Sequence, residues 1–165
     1  MMLNVSKVIE KNDIETVVLL ATEIWNEHYI NIISKQQIDY MLNKYQSYFA
    51  IKNAINSGYL YFIIVCNETP IGYFALRQDN LSMYLDKLYV LKEYRGQGIS
   101  KFAIEYAENI TLINEKKCIH LTVNKNNRGS ILAYKSLGFN VESSVNTDIG
   151  GGFIMDDYQM YKFFK

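Results

Sequence analysis

Residues 81–123 restrict the fold of this chain more than any other stretch. LSMYLDKLYVL reads as a strand running to about Val90, and YRGQGIS (94–100) follows as a glycine-bearing turn. Ile99, Phe102, Ala103, Tyr106, Ala107, Ile110 and Ile113 then recur at helical spacing, and CIHLTV (118–123) closes the unit as a nearly continuous apolar strand. Two strands joined through a helix cannot be hairpin neighbours, so this pair is expected to be parallel. A strand that is apolar at almost every position expects cover on both faces.

Upstream, LNVSKVI (3–9) reads as a strand. Asp13 is placed to cap a first helix carrying Ile14, Val17, Val18, Ala21, Ile24, Trp25 and His28. Ser34 with Gln37 forms a capping-box pattern for a second helix. A third helix, roughly 47–57, ends at Gly58. YLYFIIVC (59–66) and IGYFALRQ (71–78) are strands about a NETP turn. After the crossover come a helix at about 128–137 and strands at about 139–146 and 153–163, joined by DIGGG. The fold class expected is α/β (mixed α+β): one domain, 1–165, with a mixed, mostly antiparallel sheet and helices on both faces.

Composition narrows the function. Apolar residues make up 49% of the chain, with fourteen tyrosines and eight phenylalanines, enough for a large core. A formal net charge of zero and the absence of any long Lys/Arg block argue against a nucleic-acid binder. No apolar run is long enough to cross a membrane, and the N-terminus lacks a signal-peptide pattern. Cys66 and Cys118 fall inside expected strands, which suits buried free thiols, so the expected location is cytoplasmic. His28, Cys66, Cys118 and His120 lack zinc-site spacing, and no metal is expected.

YRGQGIS can be tested against three phosphate-binding devices. A P-loop requires four residues between its glycines and a Gly-Lys pair, and neither is present. A dinucleotide fingerprint requires a third glycine where Lys101 stands, and an acidic residue at the end of the next strand, where Asn124 stands. Arg-x-x-Gly-x-small, between a strand and a helix, fits Arg95 to Ser100. Unpaired amides at a helix start attract anions, and glycines admit close approach. On the heptapeptide alone, this reading and an ordinary tight turn are both open.

Taken with NNRGSILAYKSLGF (126–139), the segment resembles the Gcn5-related N-acetyltransferase (GNAT) superfamily. That family pairs a Q/R-x-x-G-x-G/A turn with a later N-x-x-A/S-I-x-x-Y-x-x-x-G-F block, matched here by Asn127, Ser130, Ile131, Tyr134, Gly138 and Phe139. The two blocks span about half the chain. Ser100, where glycine or alanine is usual, is the one departure.

The resemblance implies a GNAT fold and an acyl-CoA site, with acetyl-CoA as co-substrate. Leu88, Tyr89 and Val90 would pair with the pantetheine arm, the amides of Arg95, Gly96, Gln97, Gly98, Ile99 and Ser100 would hold the pyrophosphate, and Asn127 would contact the pantetheine region. Tyr134 would protonate the leaving thiolate. Asp86 aligns with an acidic residue that some members use as base, with a salt bridge to a neighbouring lysine as the alternative. His120 is a further base candidate, against a hydrogen-bonded core histidine. The family's first two helices and last strand pair shape the amine pocket. Here they carry Glu23, Trp25, Glu27, His28 and Tyr29, then Asp148 to Asp157. Glu23 and Glu27 share a helix face and would favour a cationic amine if turned to the cleft.

The implied reaction is transfer of an acetyl group to a primary amine of a small molecule, polyamine-like, or of a peptide, by direct attack in a ternary complex. The alternatives are protein N-terminal acetylation and an acyl-CoA-binding module without turnover. The family often dimerises, and the aromatics of YKFFK at 161–165 suit such an interface.

Overall fold

The computed structural model describes residues 1–164. Its seven strands form one sheet in the order β1-β2-β3-β4-β5-β7-β6. These are β1 (Leu3–Lys7), β2 (Leu60–Cys66), β3 (Thr69–Gln78), β4 (Ser82–Val90), β5 (Cys118–Asn124), β6 (Asn140–Gly150) and β7 (Phe153–Phe163). Every neighbouring pair is antiparallel except β4–β5, the pair joined by the crossover helix.

Helices α1 (Lys11–His28), α2 (Lys35–Tyr45) and α3 (Tyr48–Asn56) cover one face, and α4 (Ile99–Ile113) and α5 (Arg128–Ser136) serve the other. Strand alternation sorts the side chains into two cores. Met83, Leu85, Leu88 and Val90 of β4 join Ile119, Leu121 and Val123 of β5 beneath Ile99, Ala103 and Ala107 of α4. On the opposite face Ile63, Tyr73 and Ala75 pack under Val17, Ala21 and Ile24 of α1, with Ile38 and Ile51 from α2 and α3. β5 joins only the first of these cores, through Ile119, Leu121 and Val123, while His120, Thr122 and Asn124 on its other face are half-buried, so the cover on both faces that its apolar run implied is not found.

Three local expectations need correction. Helix α1 starts earlier: Glu10 is its N-cap, and Asp13 sits in the first turn, accepting from the Glu10 amide at 2.9 Å. An acidic residue there satisfies a free amide and opposes the helix dipole as effectively as a cap would. The turn after β2 is only Asn67-Glu68, both with positive φ, and β3 already begins at Thr69. Pro70 is tolerated because β3 is irregular there: the register with β2 shifts between Ile64 and Val65. β6 extends to Gly150, so the hairpin reaches well beyond residue 146.

Two irregularities in β4 open the sheet at its centre. Ala75 pairs with Lys87 while Leu76 pairs with Leu85, so Asp86 is the extra residue of a β-bulge. The parallel pairing with β5 runs only from Ser82–Cys118 to Tyr84–His120. Beyond Tyr84 the two strands part, and the β5-facing edge of β4 is left without a strand partner.

Candidate active site

The gap between β4 and β5 opens into a cleft of about 890 Å³. Its walls come from the second half of β4, the C-terminal end of β5, the first half of β7, the end of β6, the start of α5, the C-terminal end of α1, and α2 and α3. An unpaired strand edge offers a row of free N–H and C=O groups to any extended ligand. Leu88, Tyr89 and Val90 lie on that edge and line the cleft. Their side chains serve the cores, with Tyr89 packed against Trp25 and Tyr73 at ring separations of 5.6 and 5.3 Å.

The loop between β4 and α4 closes one end. Gly98 is the N-cap of α4 at φ 82°, and no side chain caps the helix, so its first amides are open to an outside acceptor. Gly96 has φ 74°, and a Cβ at either glycine would meet nothing within 4 Å. These glycines thus answer a backbone requirement and leave free space above the loop. Ile99 is buried and contributes only its backbone, whereas Ser100 lines the cleft. Gln97 folds back on the carbonyl of Glu93 at 2.8 Å.

Arg95 is engaged within the protein. Its Nε donates to the carbonyl of Val90 at 2.9 Å, and a terminal nitrogen lies 2.8 Å from Glu27 on α1. Burial pushes the Glu27 carboxyl up, but the Arg95 guanidinium, helped by Lys92, outweighs it and holds the pKa below the usual value. Glu27 is therefore not a cleft carboxylate: half-buried, it fastens the loop to α1. Glu23 is exposed, and neither glutamate lines the cleft.

Tyr134, on α5, lines the cleft and packs edge-on against Phe139 at 5.8 Å. Burial drives its phenol pKa well above the ordinary value. Asn127 is buried at the N-cap of α5 and faces His28 and Tyr29 of α1. Burial, then the charge of Arg95, lowers the His28 pKa, and burial pushes Tyr29 up to about 12. At neutral pH the floor of the cleft is thus uncharged imidazole and phenol.

Asp86 lines the cleft at the bulge, hydrogen-bonded to the Lys87 ammonium. That lysine lies over the rings of Tyr59 and Tyr61, 5.8 and 5.5 Å from their centroids. The pair is a salt bridge inside the cleft, since the side chains are only 21% and 10% exposed. His120 is not a cleft residue. It stacks between Tyr84 and Tyr161, and its Nε2 lies 3.1 Å from an Asp79 oxygen.

Asp157 of β7 also lines the cleft, a residue that the motifs do not single out. It is 7% exposed, and its Oδ1 is buried without a hydrogen-bond partner. Burial, then the charge of Asp156, raises its pKa to about 6 against the smaller pull of Lys125. Among the described residues no group of His, Cys, Asp and Glu side chains is placed to hold a metal ion.

Comparison with known proteins agrees with this geometry. A model described as the acetyltransferase (GNAT) family matches residues 18–139. A spermidine N(1)-acetyltransferase of Thermoplasma acidophilum is 30% identical over 152 residues, covering 87% of this chain and 90% of the relative. A peptidyl-lysine N-acetyltransferase, YjaB of Salmonella typhimurium, is 25% identical over 112 residues, covering 67% of this chain and 71% of the relative. The crystal structure of the PaiA N-acetyltransferase from Thermoplasma acidophilum, in complex with coenzyme A, superposes with a TM-score of 0.81 at 26% identity, covering 99% of this chain and all of that one.

The protein is an acetyl-CoA-dependent N-acetyltransferase that acts on an amine. The chain belongs to the acetyltransferase (GNAT) family, and its seven-stranded sheet has that family's fold.

Proposed function

We propose that residues 1–165 form a single cytoplasmic catalytic domain that acetylates a primary amine of a polyamine-type small molecule. The acetyl group passes directly from acetyl-CoA to the amine in a ternary complex. The observation that carries the substrate class is the 30% identity, over most of both chains, with a spermidine N(1)-acetyltransferase. The aromatic wall of Tyr45, Tyr59, Tyr61 and Tyr84 adds nothing to it, because Lys44, Lys87 and Arg77 of the chain itself already lie over those rings. The helix glutamates lend it no support, since neither lines the cleft. Both cysteines are free and buried, which fits a reducing compartment.

In this reading the pantetheine arm adds as a strand along Leu88, Tyr89 and Val90. The amides of Gly96 to Ser100 hold the pyrophosphate in the open space above Gly96 and Gly98. Arg95 shapes the loop through Val90 and Glu27, and Asn127 positions the pantetheine end beside α1. Tyr134 is the acid. A phenol whose pKa is raised by burial stays protonated throughout the neutral range. It gives up its proton only when thiolate charge develops in the transition state. Asp86, expected as base, has its carboxylate engaged by Lys87 and is poorly placed to accept a proton.

A second reading, acetylation of peptide lysines, is favoured by the likeness to the Salmonella enzyme. Free-thiol release, measured with acetyl-CoA and a panel of polyamines, aminoglycosides, amino acids and peptides, separates the readings. Polyamines should give the highest kcat/KM; preference for a lysine peptide would select the second reading. Tight acetyl-CoA binding without turnover would mark a binding module. Tyr134→Phe should lower kcat by about a hundredfold with acetyl-CoA affinity nearly intact, and unchanged turnover would remove Tyr134 from the acid role.

A further inference from the structure

We infer that Asp157 is the group that receives the acceptor amine and takes its proton, a role no motif of this chain assigns. The inference rests on the proposed acetyltransferase reading and adds its missing base. Among the described residues two acidic side chains line the cleft, Asp86 and Asp157. Asp86 is already bonded to an ammonium that sits over two tyrosine rings. A carboxylate so paired has an oxygen already occupied and offers little net charge to an incoming cation.

Asp157 is the opposite case. It is 7% exposed, its Oδ1 has no partner, and it faces the same cleft as Tyr134 and Asn127. Buried carboxylates are ordinarily paired, so an orphaned one in a cleft calls for an outside donor. Its surroundings withhold one. Asn124 of β5 and Val145 of β6 are its cross-strand neighbours. The Lys125 ammonium is held by Asp156 at 2.5 Å, and Tyr29 of α1 feels the Asp157 charge. His28, beside Tyr29, has its pKa lowered by burial and Arg95. No neighbouring cation is therefore free to neutralise Asp157, and a substrate ammonium supplies the missing charge.

Atoms and charges balance through the reaction. The bound ammonium gives one proton to the Asp157 carboxylate and becomes a free amine. Its lone pair forms the N–C bond at the thioester carbonyl, and the C–S bond breaks with its electrons on sulfur. Tyr134 protonates the sulfur. The new amide nitrogen loses its second proton through water to the Tyr134 phenolate, and Asp157 returns its proton to solvent. The sum is an acetylated amine, CoA thiol and one proton released.

Asp157→Asn keeps the shape and removes the base. With the best acceptor of the panel, kcat should fall about a hundredfold or more, and acetyl-CoA affinity should stay within about twofold. The acid limb of kcat/KM near pH 6 should vanish, and activity should recover partly above pH 9, where solvent supplies free amine. Raised in the fold, this pKa favours folding while Asp157 is protonated, a benefit lost as pH rises from about 4 to 6. The variant should therefore melt above the unmodified enzyme at pH 7, with the gap closing near pH 4.

Turnover within about threefold at pH 7 with the acid limb retained would overturn the inference. So would loss of that limb in Asp86→Asn instead, or an Asp157→Asn protein that melts lower and no longer binds acetyl-CoA. In the unmodified enzyme, a weakly basic acceptor, already unprotonated at pH 7, should show no acid limb; a limb that persists would also count against Asp157. If the unmodified enzyme acetylates no amine of the panel, the functional reading itself falls, an outcome distinct from failure of the variant alone.

Discussion

Two glycine turns of this chain look alike in sequence and do opposite things in space. In RGQGIS, Gly96 and Gly98 have φ of 74° and 82°, and a Cβ on either would enter open space. In DIGGG, Gly150, Gly151 and Gly152 have φ of 84°, 63° and 80°, but there the space beside the first two is filled, while a Cβ on Gly152 would meet nothing within 4 Å. A Cβ on Gly150 would stand 2.6 Å from the Tyr40 hydroxyl, and one on Gly151 would stand 2.8 Å from the Tyr40 ring. Tyr40 also donates to the carbonyl of Ile149 at 2.7 Å, joined by Lys44. The first turn leaves open space above its backbone. The second is latched to α2, so its glycines admit a side chain of the chain's own rather than making a free flap. Positive φ is common to both turns, and what lies above the backbone separates them.

The largest effect expected from this contrast is that of Gly98→Val. A branched residue at positive φ costs about 1–2 kcal/mol of stability. Because its side chain fills the space proposed for the pyrophosphate, acetyl-CoA affinity should drop about tenfold or more by titration calorimetry. Affinity equal to that of the unmodified protein would remove the distinction between the turns. Gly151→Ala should do the reverse, lowering stability by about 1–3 kcal/mol in thermal or denaturant unfolding and leaving acetyl-CoA binding unchanged. Loss of acetyl-CoA binding with stability intact would mean that the hairpin reaches the co-substrate. Tyr40→Phe should have the smallest effect, about 0.5–1.5 kcal/mol for one hydrogen bond, read as a lower melting temperature. A rise in the KM for the amine without that loss would show that the latch serves the acceptor instead.

Much of the fold is legible in the residues because local chemistry and period agree. The crossover unit, the serine cap at Ser34 and the stop near Gly58 all follow from short-range rules. Even the β4 bulge leaves a trace, since Met83 and Leu85 face one core and Leu88 and Val90 continue it one residue out of step. The start of α1 is less legible because Asp13 suits both the cap and the first turn, and only the backbone conformation at Glu10 separates them.

The candidate site divides along the same line. Tyr134, Asn127 and the loop glycines lie within motifs whose spacing is itself the signal. Asp157 does not, because in Asp156-Asp157 either carboxylate can face inward. The pairing of β7 with both β5 and β6 turns Asp157 to the cleft and leaves Asp156 with Lys125. Likewise Arg95 reads as a phosphate ligand until α1 brings Glu27 to within 2.8 Å.

By itself, the order of residues determined the elements, the one parallel pair and the family, because these depend on period, caps and spacing along the chain. Only the tertiary structure decided which charges are already spent on each other and which stand alone. That balance is set between residues distant in sequence, where burial makes an unpartnered carboxylate costly.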